Sequence, residues 1–414
     1  MPIGGRQGTR GTRHETRKVE SSIKKSFDVA IVGAGPAGSS AAIRLANAGL
    51  SVLLVEQKKF PREKLCGEFI SPECLTHFTE LGVMPEIISA GGTELAETIF
   101  FTRNGKGVAV PSEWFGDADS LALGLSRAEM DSRLLERARQ VGVVVCEETN
   151  ATGLIFDGKK IIGIKLKDKT GLETEMLVNL TIEATGRTRS LARRLEKQTT
   201  ERTPAKFVAF KTHLRGADAI PGACEIYAYK GGYGGCNHIE NDLYNLCFIA
   251  SAADTKRLGS NAARVMREVV FTNKHAAEAM QNAEIAKPWQ AVPIERFGRG
   301  ELVPADGMIT IGDAAAFIDP FTGSGILLAL ESAKVASAAI IDSFNKSLNF
   351  SGLAEAYKKN YASAFDTRLR VCSMLRHAAF VPFLAEATIS ILSLSERMRR
   401  RIARATRFNG GRGV

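Results

Sequence analysis

The chain has 414 residues, of which 44% are hydrophobic and 24% are charged, a balance typical of globular proteins with a sizeable core. Its length favours two or three domains, and its composition excludes collagen, coiled coil and disorder along the whole chain. The sequence contains no run of about 18 apolar residues, so we predict no membrane-spanning helix.

The net charge of +10 is concentrated at the two ends of the chain. Residues 1–25 carry a net charge of +5 and residues 396–414 carry +6, which leaves the body near −1. The body therefore offers no basic groove of the kind that binds nucleic acid, and we predict no nucleic-acid partner. Residues 1–26 lack hydrophobic periodicity and are expected to form a disordered basic extension. Contact of the basic tails with an anionic membrane surface is left open.

The seven cysteines and six histidines show no metal-binding spacing. The odd number of cysteines, without a C-x-x-C pair, favours reduced thiols and a cytoplasmic protein. No two histidines stand four residues apart and none lies in a cysteine cluster, so no metal site is predicted. The N-terminus lacks the apolar core of a secretory signal.

A strand–turn–helix–strand unit is predicted to begin with the apolar run at 27–32. The turn carries the motif Gly33-x-Gly35-x-x-Gly38. Glycines at these positions permit a tight turn, close approach of the backbone to a pyrophosphate, and close packing of helix on strand. Glu56 ends the second strand, 18 residues beyond Gly38, and is suited to bind ribose hydroxyls. The unit therefore predicts dinucleotide binding.

A second strand-to-helix turn is predicted late in the chain. An apolar run ends in Gly312-Asp313, and a glycine turn at Gly323–Gly325 opens the next helix. Asp313 can accept hydrogen bonds from a polyol chain, and a helix N-terminus stabilises negative charge such as that on a reduced flavin. The two turns together predict one cofactor site built from distant parts of the chain.

These motifs resemble those of the flavoproteins with the para-hydroxybenzoate-hydroxylase fold. Within that group the chain is most similar to the geranylgeranyl-reductase-like branch, which neighbours the flavin-dependent halogenases. The resemblance covers roughly residues 27–345 and implies FAD, rather than NAD, as the cofactor. The FAD-binding residues that it implies are Gly33, Gly35, Pro36, Ala37, Gly38, Glu56, Gln57, Arg127, Gly312, Asp313, Gly323, Ser324 and Gly325.

The resemblance implies an α/β fold, with a Rossmann-like FAD-binding domain, an inserted antiparallel β-sheet substrate domain and a C-terminal helical segment. Three separate segments of the chain are expected to form the FAD-binding domain. The predicted parts are the extension 1–26, the FAD-binding segments 27–94, 113–200 and 290–345, the substrate-binding segments 95–112 and 201–289, and the helical segment with its basic tail 346–414.

The loop at 61–68, PREKLCGE, matches a K-x-C-G-type loop that runs beside the flavin in this branch. The resemblance places Cys66 and Gly67 close to the reacting face. There Cys66 acts either as a reacting group or as a small polarizable filler. Arg62 and Lys64 of the same loop are candidates for steering an anionic substrate or a phosphate.

Aromatic residues on the strands predicted at 95–112 and 206–253 are expected to form an apolar to aromatic pocket over the flavin. The expected partner is a small apolar or aromatic substrate. Tyr233 and His238 are the candidates for polar groups in this pocket, and Tyr233 joins the Cys66 loop as a candidate catalytic residue. No catalytic base is evident, as expected where the cofactor carries the chemistry.

Two departures from related patterns bear on the reaction. Many hydroxylases of this fold carry an Asp-Gly pair linked to use of NAD(P)H, whereas this chain has Thr185-Gly186. NAD(P)H is the expected electron donor, acting directly or through a flavin reductase. The W-x-W-x-I-P signature of halogenases is absent from the sequence. The Tyr-Trp-Phe-Pro stretch of geranylgeranyl reductases is also altered, with Tyr233 and Asn245 remaining.

We therefore predict an FAD-dependent oxidoreductase that acts on a lipophilic or aromatic small molecule. The reaction favoured from the sequence is of the monooxygenase or hydroxylase type, through a flavin C4a-hydroperoxide. The alternative is hydride transfer to a carbon–carbon double bond, as in geranylgeranyl reductases. Halogenation and a non-catalytic, lipid-binding escort role rank below both. An escort factor is expected to lose Glu56 or the Gly312-Asp313 pair, and this chain has both.

Overall fold

The computed structural model describes residues 26–115, 120–196, 204–295, 297–317, 323–380 and 395–405, without the side chains of 373–380 and 402–405. The predicted N-terminal extension, except for its last residue, and the end of the basic tail lie outside these ranges. Among the helices of the described part of the chain, none combines the length and hydropathy needed to cross a bilayer.

The described strands form two main sheets and two small ones. In chain order they are β1 (Ser26–Val32), β2 (Val52–Val55), β3 (Phe69–Ile70), β4 (Thr93–Leu95), β5 (Glu97–Phe101), β6 (Gly107–Pro111), β7 (Ala122–Gly124), β8 (Val144–Cys146), β9 (Thr149–Asp157), β10 (Lys160–Asp168), β11 (Glu173–Glu183), β12 (Phe207–Arg215), β13 (Ala223–Tyr229), β14 (Gly232–Ile239), β15 (Leu243–Ser251), β16 (Glu284–Ile285), β17 (Gln290–Ile294), β18 (Gly298–Arg299), β19 (Met308–Thr310) and β20 (Ala316–Phe317).

The helices pack against these sheets or connect their strands. In chain order the described α-helices are α1 (Pro36–Asn47), α2 (Pro72–Leu81), α3 (Met84–Ser89), α4 (Arg127–Gln140), α5 (Ala192–Leu195), α6 (Ala252–Arg257), α7 (Ala262–Glu268), α8 (Lys274–Ala279), α9 (Gly325–Asn345), α10 (Phe350–Phe380) and α11 (Glu396–Ala405). Short 3-10 turns lie at Ser112–Trp114, Gly186–Thr188, Val270–Thr272 and Gly312–Ala314.

The first main sheet has the strand order β8-β2-β1-β11-β10-β9, and β19 pairs with the C-terminal end of β11. Strands β8, β2, β1, β11 and β19 are parallel, whereas β9, β10 and the first half of β11 form an antiparallel meander. All four residues of β2 are buried, because the parallel strands carry packed side chains on both faces. The continuous apolar runs seen in the sequence follow from this double coverage.

The second main sheet has the order β16-β12-β15-β14-β13-β5-β6, with β17 also paired to β12. Its pairings are antiparallel except that of β13 with β5. Residues 290–294, which the sequence analysis assigned to the FAD-binding segments, form β17 and therefore lie in this second sheet. Helices α7 and α8 and the 3-10 turn between them pack on its outer face through Val265, Ala276 and Val270, respectively.

Two glycines bring α1 into direct contact with the first sheet. A Cβ on Gly38 would lie 1.8 Å from the backbone oxygen of Gly33, and a Cβ on Gly33 would lie 2.4 Å from that of Ala184. Gly33 also has a φ of +104°, in the region that disfavours residues with a side chain. The N-terminus of α1 is therefore held directly beyond the end of β1.

Candidate cofactor and substrate site

A cavity of about 940 Å³ extends from the glycine turn after β1 to the inner face of the second sheet. Every predicted FAD-binding residue lines it except Gly38 and Ser324, which lie buried behind its wall. The candidate catalytic residues Cys66, Gly67 and Tyr233 line it as well. The fold thus brings together groups that are up to about 290 positions apart in the sequence.

Glu56, directly after β2, presents a buried carboxylate at one end of the cavity. Its Oε2 accepts a hydrogen bond of 3.0 Å from the N–H of Ala34, and its Oε1 accepts one of 3.0 Å from the N–H of Lys58. Each carboxylate oxygen has a second lone pair. The group is therefore fixed in place and still able to accept hydroxyl hydrogens.

Four basic side chains, Arg62, Lys64, Arg127 and Arg187, surround the middle of the cavity together with Asp313. Burial lowers the pKa of Lys64, and the neighbouring arginines lower it further. Burial raises the pKa of Asp313, while the charges of Lys64, Arg127 and Arg187 oppose that change. The excess of positive charge suits an anionic group such as a pyrophosphate.

Arg127, the first residue of α4, is locked by an acidic residue one helical turn later. Its Nε and Nη2 donate to the two carboxylate oxygens of Asp131 at 2.8 and 2.7 Å. Against the cost of burial, Asp131 raises the pKa of Arg127. The sequence analysis did not assign Asp131 a role, although its i,i+4 spacing from Arg127 was a usable signal.

Helices α1 and α9 both begin at the cavity wall, at Pro36 and Gly325. The first N–H groups of a helix have no acceptor within it, and the helix dipole is positive at that end. Neither N-cap residue, Gly35 or Ser324, caps its helix through a side-chain hydrogen bond. Each terminus therefore directs backbone donors toward an anionic ligand group.

These groups fit FAD. Glu56 and the start of α1 would hold the adenosine and pyrophosphate, and Asp313 and the start of α9 would hold the ribityl chain and the pyrimidine edge of the flavin. When bound there, FAD supplies two-electron redox chemistry by hydride transfer.

The other half of the cavity is apolar. Its wall is formed by residues on strands of the second sheet and by neighbouring aromatic residues, namely Phe100, Phe101, Val108, Val110, Phe115, Ile226, Tyr233, Phe248, Ile249, Ile294 and Phe317. Such a lining excludes water and suits a lipophilic substrate.

Only some of the aromatic residues expected to line the pocket do so. On β13, Ile226 and Ala228 line the cavity, whereas Tyr227 and Tyr229 point to the opposite face and pack under α7 and α8. Successive residues of a strand point to opposite faces, and both faces of this sheet are covered. His238, a predicted polar pocket group, lies outside the cavity wall, and its Nδ1 is 3.0 Å from the Thr93 hydroxyl.

The Cys66 loop connects the two halves of the site. On the cofactor side, its Glu68 carboxylate accepts a hydrogen bond of 2.8 Å from the N–H of Arg127 at the start of α4. Its Cys66 carbonyl accepts a hydrogen bond of 3.3 Å from the Asn245 side chain on β15 of the second sheet. The loop is therefore anchored to α4 and to the second sheet, at the point where cofactor and substrate would meet.

Comparison with known proteins identifies the family. A family model described as an FAD binding domain matches residues 26–347. The digeranylgeranylglycerophospholipid reductase of Methanosarcina acetivorans is 28% identical over 347 residues, which cover 82% of this chain and 81% of that protein. The menaquinone reductase of Mycobacterium tuberculosis is 26% identical over 395 residues, covering 90% of each chain.

Among solved structures, the flavin-dependent brominase Bmp2 shares the fold, with a TM-score of 0.77 and 21% sequence identity over 92% of this chain and 93% of that one. The family match covers both main sheets and both glycine turns. These findings confirm the predicted fold class and the resemblance to the geranylgeranyl-reductase-like branch. The chain belongs to the FAD binding domain family, and it is an FAD-dependent oxidoreductase.

Proposed function

We propose that the protein transfers hydride from reduced FAD to a carbon–carbon double bond in the isoprenoid chain of a lipid or quinone. The observation that carries the proposal is the apolar half of the cavity, which continues from the predicted flavin position along the second sheet. The names of the relatives in Methanosarcina acetivorans and Mycobacterium tuberculosis, both reductases, support it. The monooxygenase reaction favoured from the sequence stays a prediction.

Different residues of the chain have different roles in this reaction. Asp131 fixes the Arg127 guanidinium at the cofactor, and the apolar wall holds the chain of the substrate and keeps water out. Reduction of a double bond also requires a proton at the second carbon. Cys66 and Tyr233 both line the cavity, and the side chain of each carries a proton that can be donated.

An anaerobic reaction tests the proposal directly. The FAD-bound enzyme would be reduced photochemically, so that the result does not depend on whether NAD(P)H or a flavin reductase is the natural donor. We expect a geranylgeranyl phospholipid or menaquinone to reoxidise the flavin without oxygen and to gain two hydrogens, measured by mass spectrometry. Reoxidation only with oxygen, accompanied by a hydroxylated phenol from a control panel, would instead favour the monooxygenase reaction.

A charge placed in the apolar half should separate substrate binding from cofactor binding. We expect Val110→Asp to lower kcat/KM for a polyprenyl substrate at least about tenfold, because an apolar chain would lie against a carboxylate. FAD content, measured by absorbance, should stay unchanged. Val144→Asp is the matched control, since Val144 is exposed on β8. Equal activity of the two variants would count against this location of the substrate.

Helix α11 lies beside the apolar end of the cavity, where Arg399 lines the wall and its Nη1 donates to the Ala109 carbonyl at 3.4 Å. Arg397, Arg400 and Arg401 on the same helix are exposed. Positive side chains next to an apolar opening complement an anionic bilayer. We propose that α11 contacts such a surface and so brings the opening to lipid substrates.

Replacing those three exposed arginines by alanine should weaken binding to phosphatidylglycerol vesicles about 100-fold, because each basic residue near an anionic surface contributes about 1 kcal/mol. Vesicle sedimentation at two salt concentrations would measure the change. The control is the triple alanine variant of Lys165, Lys167 and Lys169 on the β10 hairpin. An equal loss in the control would indicate general charge attraction rather than contact through α11.

A further inference from the structure

A largely buried group of titratable side chains joins the Cys66 loop to β12 of the second sheet, and neither the cofactor contacts nor the proposed reaction described above assigns it a role. The group, here called the Glu68 cluster, consists of Glu63, Glu68, Lys211 and His213. Glu68, Lys211 and His213 are 0%, 1% and 2% exposed. Charged residues are rarely this buried unless they are paired.

The Glu68 carboxylate joins three separate parts of the fold. Its Oε1 accepts hydrogen bonds from the N–H of Arg127, at 2.8 Å, and from the Lys211 ammonium. Its Oε2 lies 2.7 Å from Nε2 of His213. One side chain thus ties the loop to the start of α4 and to β12 of the second sheet.

The backbone of Glu68 is held just as firmly. Its φ is +52°, a conformation uncommon for a residue with a side chain. Its carbonyl accepts hydrogen bonds from the N–H of Leu125, at 3.2 Å, and from the Asn237 side chain, at 3.3 Å. Such a conformation persists when the surroundings fix it, and it is concentrated at functional sites.

The cluster has the ligand types of a metal site, but Lys211 already supplies the positive charge. Ligand atoms of Glu63, Glu68 and His213 lie within 4.8 Å of one another. The Lys211 ammonium donates to both carboxylates and to the Lys64 carbonyl, the latter at 3.2 Å. Against the cost of burial, Glu68 and then Glu63 raise the pKa of Lys211, which keeps it charged.

Glu68 also controls its neighbour in the loop. Its N–H donates to the Sγ of Cys66 at 3.4 Å, while its carboxylate holds the N–H of Arg127 at the start of α4. We infer that Glu68 is a positioning residue, which holds the Cys66 thiol and the Arg127 helix start in one fixed arrangement across the cofactor and substrate halves. This role does not depend on the reaction proposed above, so its failure would leave that proposal standing.

The rate of thiol alkylation tests the inference on the full-length, FAD-bound protein. Iodoacetamide labelling of Cys66 would be followed by peptide mass spectrometry, with Cys146, also partly exposed, as a reference in the same sample. In Glu68→Ala we expect Cys66 to react at least about tenfold faster and Cys146 to react at its original rate. The visible absorption band of bound FAD should shift, because the backbone N–H at the start of α4 loses its acceptor while Asp131 still holds the Arg127 guanidinium.

Two further variants separate positioning from general stability. Glu63→Gln alters another carboxylate partner of Lys211 without touching the Cys66 backbone or thiol, and should leave Cys66 labelling within about twofold of the original. Glu68→Ala leaves the Lys211 ammonium short of a partner, which lowers stability. The double variant Glu68→Ala with Lys211→Met removes that charge, so we expect it to regain thermal stability while Cys66 stays reactive.

Three results would overturn the inference. The first is unchanged Cys66 labelling in Glu68→Ala. The second is an equal acceleration at Cys146, which would indicate loosening of the whole fold. The third is a double variant in which slow labelling returns together with stability. Should Glu68→Ala fail to fold, the double variant alone decides, because rapid labelling of Cys66 with unchanged Cys146 supports the inference.

Discussion

Gly38→Ala is expected to abolish FAD retention and to lower the melting temperature strongly. The added methyl group would lie 1.8 Å from the Gly33 carbonyl oxygen and 3.2 Å from the Cβ of Ala184. The first of these contacts is with backbone, which cannot rotate away, so the start of α1 must move off the end of β1. Overpacking typically costs about 1–3 kcal/mol, and we expect the upper end of that range here because backbone must move. Absorbance of bound flavin after gel filtration, together with thermal unfolding, would measure both effects.

Gly352→Ala is the matched control for this prediction. Gly352 lies in α10, and a Cβ there would be 3.6 Å from its nearest neighbour, an ordinary contact. Alanine favours a helix over glycine by about 0.5–1 kcal/mol, so this variant should keep FAD and melt at the same temperature or higher. A Gly38→Ala protein that retained its flavin would contradict the close approach of α1 to β1.

The second large effect is expected from Glu56→Ala and Asp313→Ala, which should each release FAD. Removal of the Glu56 carboxylate leaves the N–H groups of Ala34 and Lys58 without their acceptor. It also removes the oxygens that would accept hydrogen bonds from the ribose hydroxyls. Hydrogen bonds to a charged group contribute about 1.5–3 kcal/mol each, so loss of two to the ligand weakens FAD binding at least about 100-fold. Titration of the FAD-free proteins, followed by flavin fluorescence, would give the dissociation constants.

Glu173→Ala serves as the control for the acidic variants, because Glu173 is an exposed carboxylate at the start of β11. It should bind FAD as the unaltered chain does. Full retention of flavin by both Glu56→Ala and Asp313→Ala would show that the cofactor lies elsewhere in the cavity.

The sequence predicted those parts of the site that short motifs within one stretch of the chain encode. The Gly33 turn and the Gly312-Asp313 pair each stand between a strand and a helix, and a parallel sheet brings the carboxyl ends of its strands together. Spacing within one element also carries information, as with Arg127 and Asp131 on α4. Such signals need no knowledge of distant pairing.

Contacts between residues that are far apart in the chain could not be predicted from the sequence. The partners Glu68 and Lys211 stand 143 positions apart, and nothing local marks their contact. Charged residues at alternate positions 211 and 213 of a strand did offer a hint, since they share one face. The assignment of β17 to the FAD-binding segments was wrong because hydrophobic periodicity does not say which strand a short segment will pair with.

The aromatic strands show a related limit. Alternation divides β13 into two faces, but it does not say which face is the cavity. Both faces are apolar here, because one meets the cavity and the other packs under α7 and α8. Which face lines the cavity depends on the position of α7, α8 and the Cys66 loop. Other parts of the chain determine that position.

The late position of β19 has a consequence for synthesis of the protein. Asp313 leaves the ribosome 275 residues after Gly38, about 14–55 s later at roughly 5–20 residues per second. Until then β11 has no partner along its C-terminal edge, and the apolar faces that α9 will cover stay open. Non-local parallel pairing is slow, and exposed apolar surface promotes aggregation. The apolar faces of the nascent chain therefore stay exposed for most of its translation, and the FAD site is complete only near the end.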